Sequence, residues 1–217
     1  MKKARFYVDS RLPTLLSQEY SSTERAIKEL VDNAWDADAV NVRIDLPKPM
    51  TTESIVVIDD GTGMTEVELR RHYLSIATDR RTRRGDLTAV KKRKVKGRKG
   101  IGKFAGLMAA AEMYVKSSAR GKCCSFTLNL EDLSAVDDIE KLDLSLQVDD
   151  CAPQDQGTIV ALSRLHQGLS FPHPDKLRQI LLEDYGREEG FIIYVDGKEL
   201  GVDDVRGTFN ELKGDAG

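Results

Sequence analysis

An amphipathic helix near the start of the chain constrains the fold most strongly. In residues 27–39, IKELVDNAWDADA, the apolar residues fall on one arc at helical spacing, and the preceding SSTE is typical of a capping box with Ser21 as the N-cap. At 100° per residue, Glu29, Asn33 and Asp36 lie within roughly 60° of each other on the polar side. A helix that only packs against a core has no need of this cluster, so we expect a functional edge.

Strand-like segments surround a second helical region. The order from residue 23 is helix, strand (VNVRIDL), strand (SIVVIDD), a short helix at 65–75, a charged stretch, a helix in GIGKFAGLMAA and two strands (EMYVKS and CCSFTLNL). Further strands are predicted at 142–148, 158–162 and 190–195, with a helix at 174–185 and a hairpin turn at Asp196-Gly197. A chain of 217 residues accommodates one substantial α/β domain of this kind.

Composition narrows the class of protein. The net charge of −3 argues against a protein that is basic throughout and coats nucleic acid. Three cysteines without a CxxC pair indicate neither a disulfide framework nor a zinc site, and no apolar run approaches the 18 residues or so of a membrane span. We therefore expect a cytoplasmic protein with no membrane partner.

Two glycine-rich segments are the other candidate sites. Asp59-Asp60-Gly61-Thr62-Gly63-Met64 follows a strand, where glycines allow close approach to a ligand and a strand-end carboxylate accepts a hydrogen bond. GRKGIGK, residues 97–103, precedes a helix, where free N–H groups and the helix dipole favour a phosphate chain. The second segment has neither the Rossmann nor the P-loop spacing. Each motif alone is also compatible with an ordinary turn or a solvated helix face.

The order of these motifs is more specific than any one of them. ELVDN, DDGTGM and GRKGIGKFAG, followed by GTIVAL at 157–162, resemble the N, G1 and G2 boxes and the late G-T strand of the GHKL superfamily. This superfamily includes gyrase B, MutL, MORC proteins, histidine kinases and the HSP ninety chaperone. The resemblance implies the Bergerat fold: an α/β two-layer sandwich with a mixed, mostly antiparallel sheet and helices on one face.

The resemblance also assigns roles to residues. It implies that Glu29 activates the attacking water, that Asn33 binds Mg²⁺ and that Asp59 contacts the adenine of ATP with support from Thr158. The remaining residues that it places around ATP are Asp36, Ala37, Gly61, Gly63, Met64, Lys99, Gly100, Ile101, Gly102, Lys103 and Phe104. Many members have Asn after the G1 aspartate, whereas this chain has Asp60, which we expect to face solvent or cap the turn.

A basic segment follows DDGTGM and continues into GRKGIGK. Residues 80–103 contain twelve Lys or Arg and one acidic residue, Asp86. In the superfamily this position is the ATP lid, here about residues 76–100, and from its charge we expect it to lack order without ligand. Gathering of ATP phosphates and contact with DNA or a protein client are both open for it.

The resulting prediction is a single ATPase domain over residues 1–217, the N-terminal part of a longer protein. It would bind ATP with Mg²⁺ and hydrolyse it slowly, with ATP ordering the lid and promoting a homodimer. Two alternatives stay open: phosphoryl transfer of the histidine-kinase type, and a non-hydrolytic nucleotide sensor or DNA-contacting module.

Overall fold

One twisted sheet forms the framework of the protein. The computed structural model describes residues 2–4, 22–74, 85–97, 102, 105–134, 144–166, 171–201 and 204. The described strands are β1 (Lys2–Ala4), β2 (Asn41–Asp45), β3 (Ile55–Asp59), β4 (Ala110–Ala119), β5 (Lys122–Asn129), β6 (Leu144–Asp150), β7 (Gly157–Leu165), β8 (Ile192–Val195) and β9 (Lys198–Glu199). Their order in the sheet is β1-β6-β5-β4-β7-β3-β2-β8-β9. Every pair is antiparallel except β2 with β8, which confirms the predicted mixed, mostly antiparallel sheet.

The helices pack together on the sheet. They are α1 (Thr23–Asp36), α2 (Glu66–Glu68) followed by a π-helical turn (Leu69–Tyr73), α3 (Gly106–Ala109), α4 (Leu130–Ser134) and α5 (Pro174–Tyr185). The apolar arc of α1 is buried, including Ile27 and Val31, and faces sheet residues such as Ile44 and Val57 in one continuous core. With this arc fixed inward, the polar edge of α1 is held at the margin of the two layers.

The start of α1 differs from the prediction by one residue. Ser22, not Ser21, is the N-cap, and its hydroxyl accepts from the Arg25 N–H at 3.4 Å. Glu24 takes no part in a capping box because it is buried against the start of α5, where Lys176 Nζ lies 3.2 Å from its carboxylate. The predicted capping box at Ser21 is therefore wrong, and Glu24 instead joins two helices.

A hairpin turn joins the last two strands. The predicted Asp196-Gly197 hairpin is confirmed, because both residues adopt positive φ, 50° and 76°, between β8 and β9. Among the described residues of GIGKFAGLMAA, the α-helical ones are Gly106–Ala109, directly before β4 begins. None of the three cysteines forms a disulfide bond, and Cys123 and Cys124 are buried.

Candidate active site

Glu29 and Asn33 lie on the exposed edge of α1, one turn apart. Both are half-buried, and neither side chain has a hydrogen-bond partner within the described part of the chain. Burial, with added repulsion from the charge of Asp32, raises the pKa of Glu29 to about 6. A desolvated carboxylate lowers the stability of the fold, but it is suited to proton transfer. The amide oxygen beside it is suited to binding a metal ion.

Gly102 lies directly against Glu29. A Cβ placed on Gly102 would come 2.3 Å from Glu29 Oε2, a distance that real atoms do not tolerate. The residue stands three positions before Ala105, whose N–H donates to the Gly102 carbonyl at 3.0 Å at the entry to α3. The catalytic candidate and the glycine-rich helix entry, 73 residues apart in sequence, are therefore in contact.

A second group of polar side chains lies apart from Glu29 and Gly102. Three neighbouring strands place these side chains next to one another. Asp59 on β3 is paired with Thr158 on β7, which is in turn paired with Ser117 on β4. The Ser117 hydroxyl is fully buried, lies 3.2 Å from Thr158 Oγ1 and accepts from the Met64 N–H at 2.9 Å. Sequence reasoning missed Ser117, although strand alternation from the buried Val115 marks it as an inward-facing polar residue.

The carboxyl group of Asp59 is the polar centre of this junction. It accepts from the Gly61 N–H at 2.9 Å. Burial raises the pKa of Asp59 to about 7, although hydrogen bonds from the Gly61 and Thr158 backbones act in the opposite direction. A carboxyl group that is desolvated and only partly satisfied by its own chain is suited to accept from a ligand amino group.

The glycines of this turn are required by close backbone contacts. Gly63 has φ +59°, and a Cβ there would lie 1.9 Å from the Ser118 carbonyl oxygen. At Gly61, a Cβ would lie 2.8 Å from the Ala37 carbonyl oxygen, which accepts from the Thr62 N–H at 2.8 Å. These contacts bring Ala37, at the end of α1, together with the turn after β3.

The carboxylate of Asp60 turns away from this junction. It accepts from the N–H groups of Val40 and Asn41 at 2.7 and 2.8 Å and from the Asn41 amide at 2.7 Å. Against the effect of burial, these bonds hold the pKa of Asp60 below its usual value. Asp60 thus fixes the start of β2. The presence of Asp here, where many superfamily members have Asn, therefore places no free acceptor beside Asp59.

Replacement of Asp60 by Ala is therefore expected to reduce stability and to leave ligand affinity unchanged. Loss of the acceptor leaves the N–H groups of Val40 and Asn41 without their partner, at a cost of about 2 kcal/mol. Chemical denaturation and nucleotide titration of the same variant test both halves. Weaker nucleotide binding at unchanged stability would contradict this structural role.

Asp36 binds the basic segment. Its carboxylate accepts from two consecutive backbone N–H groups, Lys96 at 2.9 Å and Gly97 at 3.0 Å. The structure thus places Asp36 between α1 and the approach to the glycine-rich segment.

Residues 85–97 form a closed turn, here named the 85–97 hairpin. A bridge joins Leu87 to Lys94, and Asp38 accepts from the Thr88 hydroxyl at 2.5 Å. The expectation of a segment without order does not hold for these residues, since carboxylates on α1 and in the turn after it accept their hydrogen bonds and aromatic rings lie against their charges. Sequence reasoning missed Asp38, Thr88 and Arg93, whose roles depend on contacts distant in sequence.

Five predicted site residues lie outside the described part of the chain: Lys99, Gly100, Ile101, Lys103 and Phe104. Nine of the other ten predicted residues form two groups, and the tenth, Asp36, binds the backbone of Lys96 and Gly97. Glu29, Asn33 and Gly102 make up the first, and Ala37, Asp59, Gly61, Gly63, Met64 and Thr158 the second. Within the described residues no three His, Cys, Asp or Glu side chains cluster as a metal site. The available Asn33 amide nevertheless fits Mg²⁺, which keeps few protein ligands when substrate phosphates supply the others.

A helix edge with an available carboxylate, a carboxylate at a strand end and a glycine-rich helix entry are the features expected of a nucleotide-binding domain. The family model described as histidine kinase-, DNA gyrase B- and HSP90-like ATPase matches residues 20–158. The chain belongs to this family, as its motifs predicted.

Three proteins with different names are similar to part of this chain. A protein of Herpetosiphon aurantiacus, provisionally named type II restriction enzyme HgiDII, is 37% identical over 44% of this chain and 15% of its own length. DNA mismatch repair protein MutL of Parabacteroides distasonis is 34% identical over 44% of this chain and 15% of its own. Chaperone protein HtpG of Bacillus velezensis is 28% identical over 56% and 22%, respectively. The chain thus spans less than a quarter of each of these relatives.

None of the helices in the described ranges has both the length and the apolar character needed to cross a bilayer. The cytoplasmic location stays a prediction.

Proposed function

We propose that this chain is a Mg²⁺-dependent ATP-binding and ATP-hydrolysing domain that works as a conformational switch in a larger protein. The observation that carries the proposal is the contact between Glu29 and Gly102. It joins a carboxylate of raised pKa to the backbone of a glycine-rich helix entry, the combination needed to activate a water beside a phosphate chain.

Each part of the site has a role in this proposal. Glu29 takes the proton of the attacking water, and the Asn33 amide oxygen holds Mg²⁺. When bound, Mg²⁺ neutralises negative charge on the phosphates. The backbone at Gly102, with Gly100 and Ile101, donates to phosphate oxygens, and Lys99 and Lys103 add positive charge.

The adenine end of the site is the junction around Asp59. Its carboxylate accepts from the adenine amino group, and Thr158 supports it from the neighbouring strand. Ala37, Gly61, Gly63 and Met64 form the adjoining wall, and Phe104 is assigned to the same nucleotide site from its motif alone. Asp36 acts indirectly, through the backbone of Lys96 and Gly97.

Parallel measurement of Mg²⁺-ATP binding and phosphate release from the native chain tests the proposal. We expect micromolar to millimolar binding, slow release of phosphate and loss of release when EDTA removes Mg²⁺. Absence of nucleotide binding would overturn the motif assignment. Binding without release, together with transfer of phosphate to an added histidine-containing partner domain, would favour the kinase alternative.

The switch is proposed to act through association of two copies. In this family a homodimer would couple occupancy of the site to the rest of a longer protein. Sedimentation velocity with and without a non-hydrolysable ATP analogue measures this directly. A monomer in both states would restrict the proposal to ATP-driven change within one chain.

A second candidate function, contact with nucleic acid, is favoured by the 85–97 hairpin. Lys91, Lys92 and Lys94 are exposed, and none has an ion pair within the described residues. Phosphate contacts by lysines give affinity that falls steeply with salt. One relative is a DNA mismatch repair protein, which is consistent with this candidate.

Replacing these three lysines by Ala tests that contact. If the hairpin binds DNA phosphates, affinity for a short duplex at low salt should fall about tenfold or more, and the salt dependence should become shallower by up to about three ions. Changing three exposed lysines outside the hairpin, Lys48, Lys122 and Lys198, to Ala gives a control with the same change of charge. Equal DNA affinity of the native chain and the lysine variant would exclude the hairpin as the contact.

A further inference from the structure

The 85–97 hairpin is fixed to the body of the protein at several points. Within the hairpin, the Thr88 N–H donates to the Arg93 carbonyl at 2.8 Å and the Val95 N–H donates to the Asp86 carbonyl at 2.9 Å. Outside it, contacts reach α1, the turn after α1 and the region from α5 to β8. A basic segment in solvent has no such closed pattern of bonds.

Asp38 is the main acceptor for the hairpin. Its carboxylate receives the Thr88 hydroxyl at 2.5 Å and the N–H groups of Val90 and Lys91 at 2.8 and 2.9 Å. Burial raises the pKa of Asp38, but these donors and the charge of Arg93 hold it below its usual value. Asp38 and Thr88 are buried, and Asp38 has a positive φ of 61°, so a strained backbone position is kept at this acceptor.

Aromatic rings hold the cationic side of the hairpin. The Arg93 guanidinium lies 4.4 Å from the Trp35 ring centroid and donates to the carbonyl oxygens of Ala39 and Gly190 at 2.6 and 2.5 Å. Lys96 Nζ lies 3.9 Å from the Tyr185 ring centroid. The Trp35 indole N–H donates to the Lys94 carbonyl at 2.9 Å, so the single tryptophan of the chain contacts the hairpin directly.

These contacts determine where the glycine-rich segment begins. Gly97 is bound to Asp36, and Gly102 lies against Glu29. Glu29 and Asp36 are seven residues apart on α1, about two turns or 10.5 Å along the axis and on one side. The five residues from Gly97 to Gly102 can span up to about 18 Å, so both ends of this stretch are fixed on one helix edge with chain to spare.

We propose that Asp38 is a positioning residue for the phosphate end of the site. By holding the 85–97 hairpin, it presents the backbone of Lys96 and Gly97 to Asp36 and so fixes Gly97, the first residue of the glycine-rich segment, on the edge of α1 that carries Glu29 and Asn33 before ATP binds. Fixing a glycine backbone in advance removes an entropic cost from ligand binding. The role rests on the proposed ATP function, which it deepens.

The variant Asp38→Gly tests this role. Glycine accepts the positive φ and removes all three acceptor contacts without introducing a clash. We expect Trp35 emission to shift to longer wavelength as the hairpin leaves the indole, and the Kd for Mg²⁺-ATP to rise about tenfold or more. Asp38→Asn, which keeps one acceptor oxygen and tolerates positive φ, should fall between the native chain and Asp38→Gly in both measurements.

Asp196→Gly is the matched control. Asp196 also has a positive φ, 50°, and accepts one backbone N–H, from Leu46 at 2.8 Å, but lies in the turn between β8 and β9. It should change neither Trp35 emission nor ATP affinity. All measurements belong at a temperature where circular dichroism reports native secondary structure for every variant.

The outcomes separate the positioning role from the function on which it rests. The proposal is supported if the native chain binds ATP and Asp38→Gly both weakens this binding and shifts the emission of Trp35. Native binding that Asp38→Gly leaves unchanged overturns the positioning role alone. A native chain that binds no ATP overturns the proposed function and the positioning role together, while the emission of Asp38→Gly still reports whether Asp38 holds the hairpin.

Discussion

Glu29→Gln is expected to abolish phosphate release and to leave Mg²⁺-ATP binding within about twofold of the native value. The amide has the size of the carboxyl group and keeps the contact with Gly102, but it cannot take a proton from water. Loss of general base catalysis lowers kcat about 10²–10⁴-fold. Phosphate release under single-turnover conditions, with binding measured by calorimetry, gives the two numbers separately.

The control for this variant is Glu183→Gln, an exposed glutamate on α5 outside the site. It should match the native chain in both measurements. If Glu29→Gln released phosphate at the native rate, Glu29 would not be the base, and the cost of burying its charge would need another explanation.

The raised pKa of Glu29 adds a dependence on pH. The base must be ionised, so kcat/KM should fall as pH drops through about 6, approaching tenfold per pH unit below it. An excess of Mg²⁺ over ATP keeps protonation of the nucleotide itself small. A profile that stays flat between pH 5 and 7 would exclude an ionisation of Glu29 from the rate-determining step.

Local patterns were sufficient to predict much of the fold. The bounds of α5 agree with the prediction, and β2 and β3 lie where alternation and continuous apolar runs placed them. The tight turn that contains Asp59, Gly61 and Gly63 was predictable because turn chemistry depends on adjacent residues. The N-cap was misplaced by one residue because burial of Glu24 against α5, rather than a local capping box, decides how α1 begins.

The 85–97 hairpin shows why the rest could not be predicted. Its bonds join Asp38 to Thr88 across 50 residues and Arg93 to Gly190 across 97. Charge composition, the only local signal, indicates solvation and repulsion. The three-dimensional fold orders the hairpin despite this charge, because it places the Asp38 carboxylate next to the N–H and hydroxyl donors of the hairpin and the Trp35 ring next to Arg93.

Asp59→Asn is expected to weaken ATP binding about 100-fold or more while making the protein more stable at pH 8. The Asn oxygen can still accept from Gly61 N–H, which leaves the NH₂ group facing the adenine amino group. The NH₂ group of Asn and the adenine amino group are both donors, so the hydrogen bond that the carboxylate accepted is lost. Such a mismatch in a buried site costs several kcal/mol.

The gain in stability follows from the sign of the pKa shift. The pKa of Asp59 is raised from 3.8 to about 7 in the folded protein, so its contribution to stability is full below pH 3.8 and is lost as pH rises through 7. Asn carries no charge, and at pH 8 it should recover on the order of 2 kcal/mol, or roughly 5 °C in Tm, after allowance for partial exposure of the side chain. Thermal melts of both proteins at pH 4 and pH 8, with ATP titrations at pH 8, provide the test, and the difference in Tm should shrink at pH 4. A variant that lost both affinity and stability at pH 8 would mean that Asp59 supports the fold, whereas the expected opposite signs would mean that the chain keeps a destabilising carboxylate for its ligand.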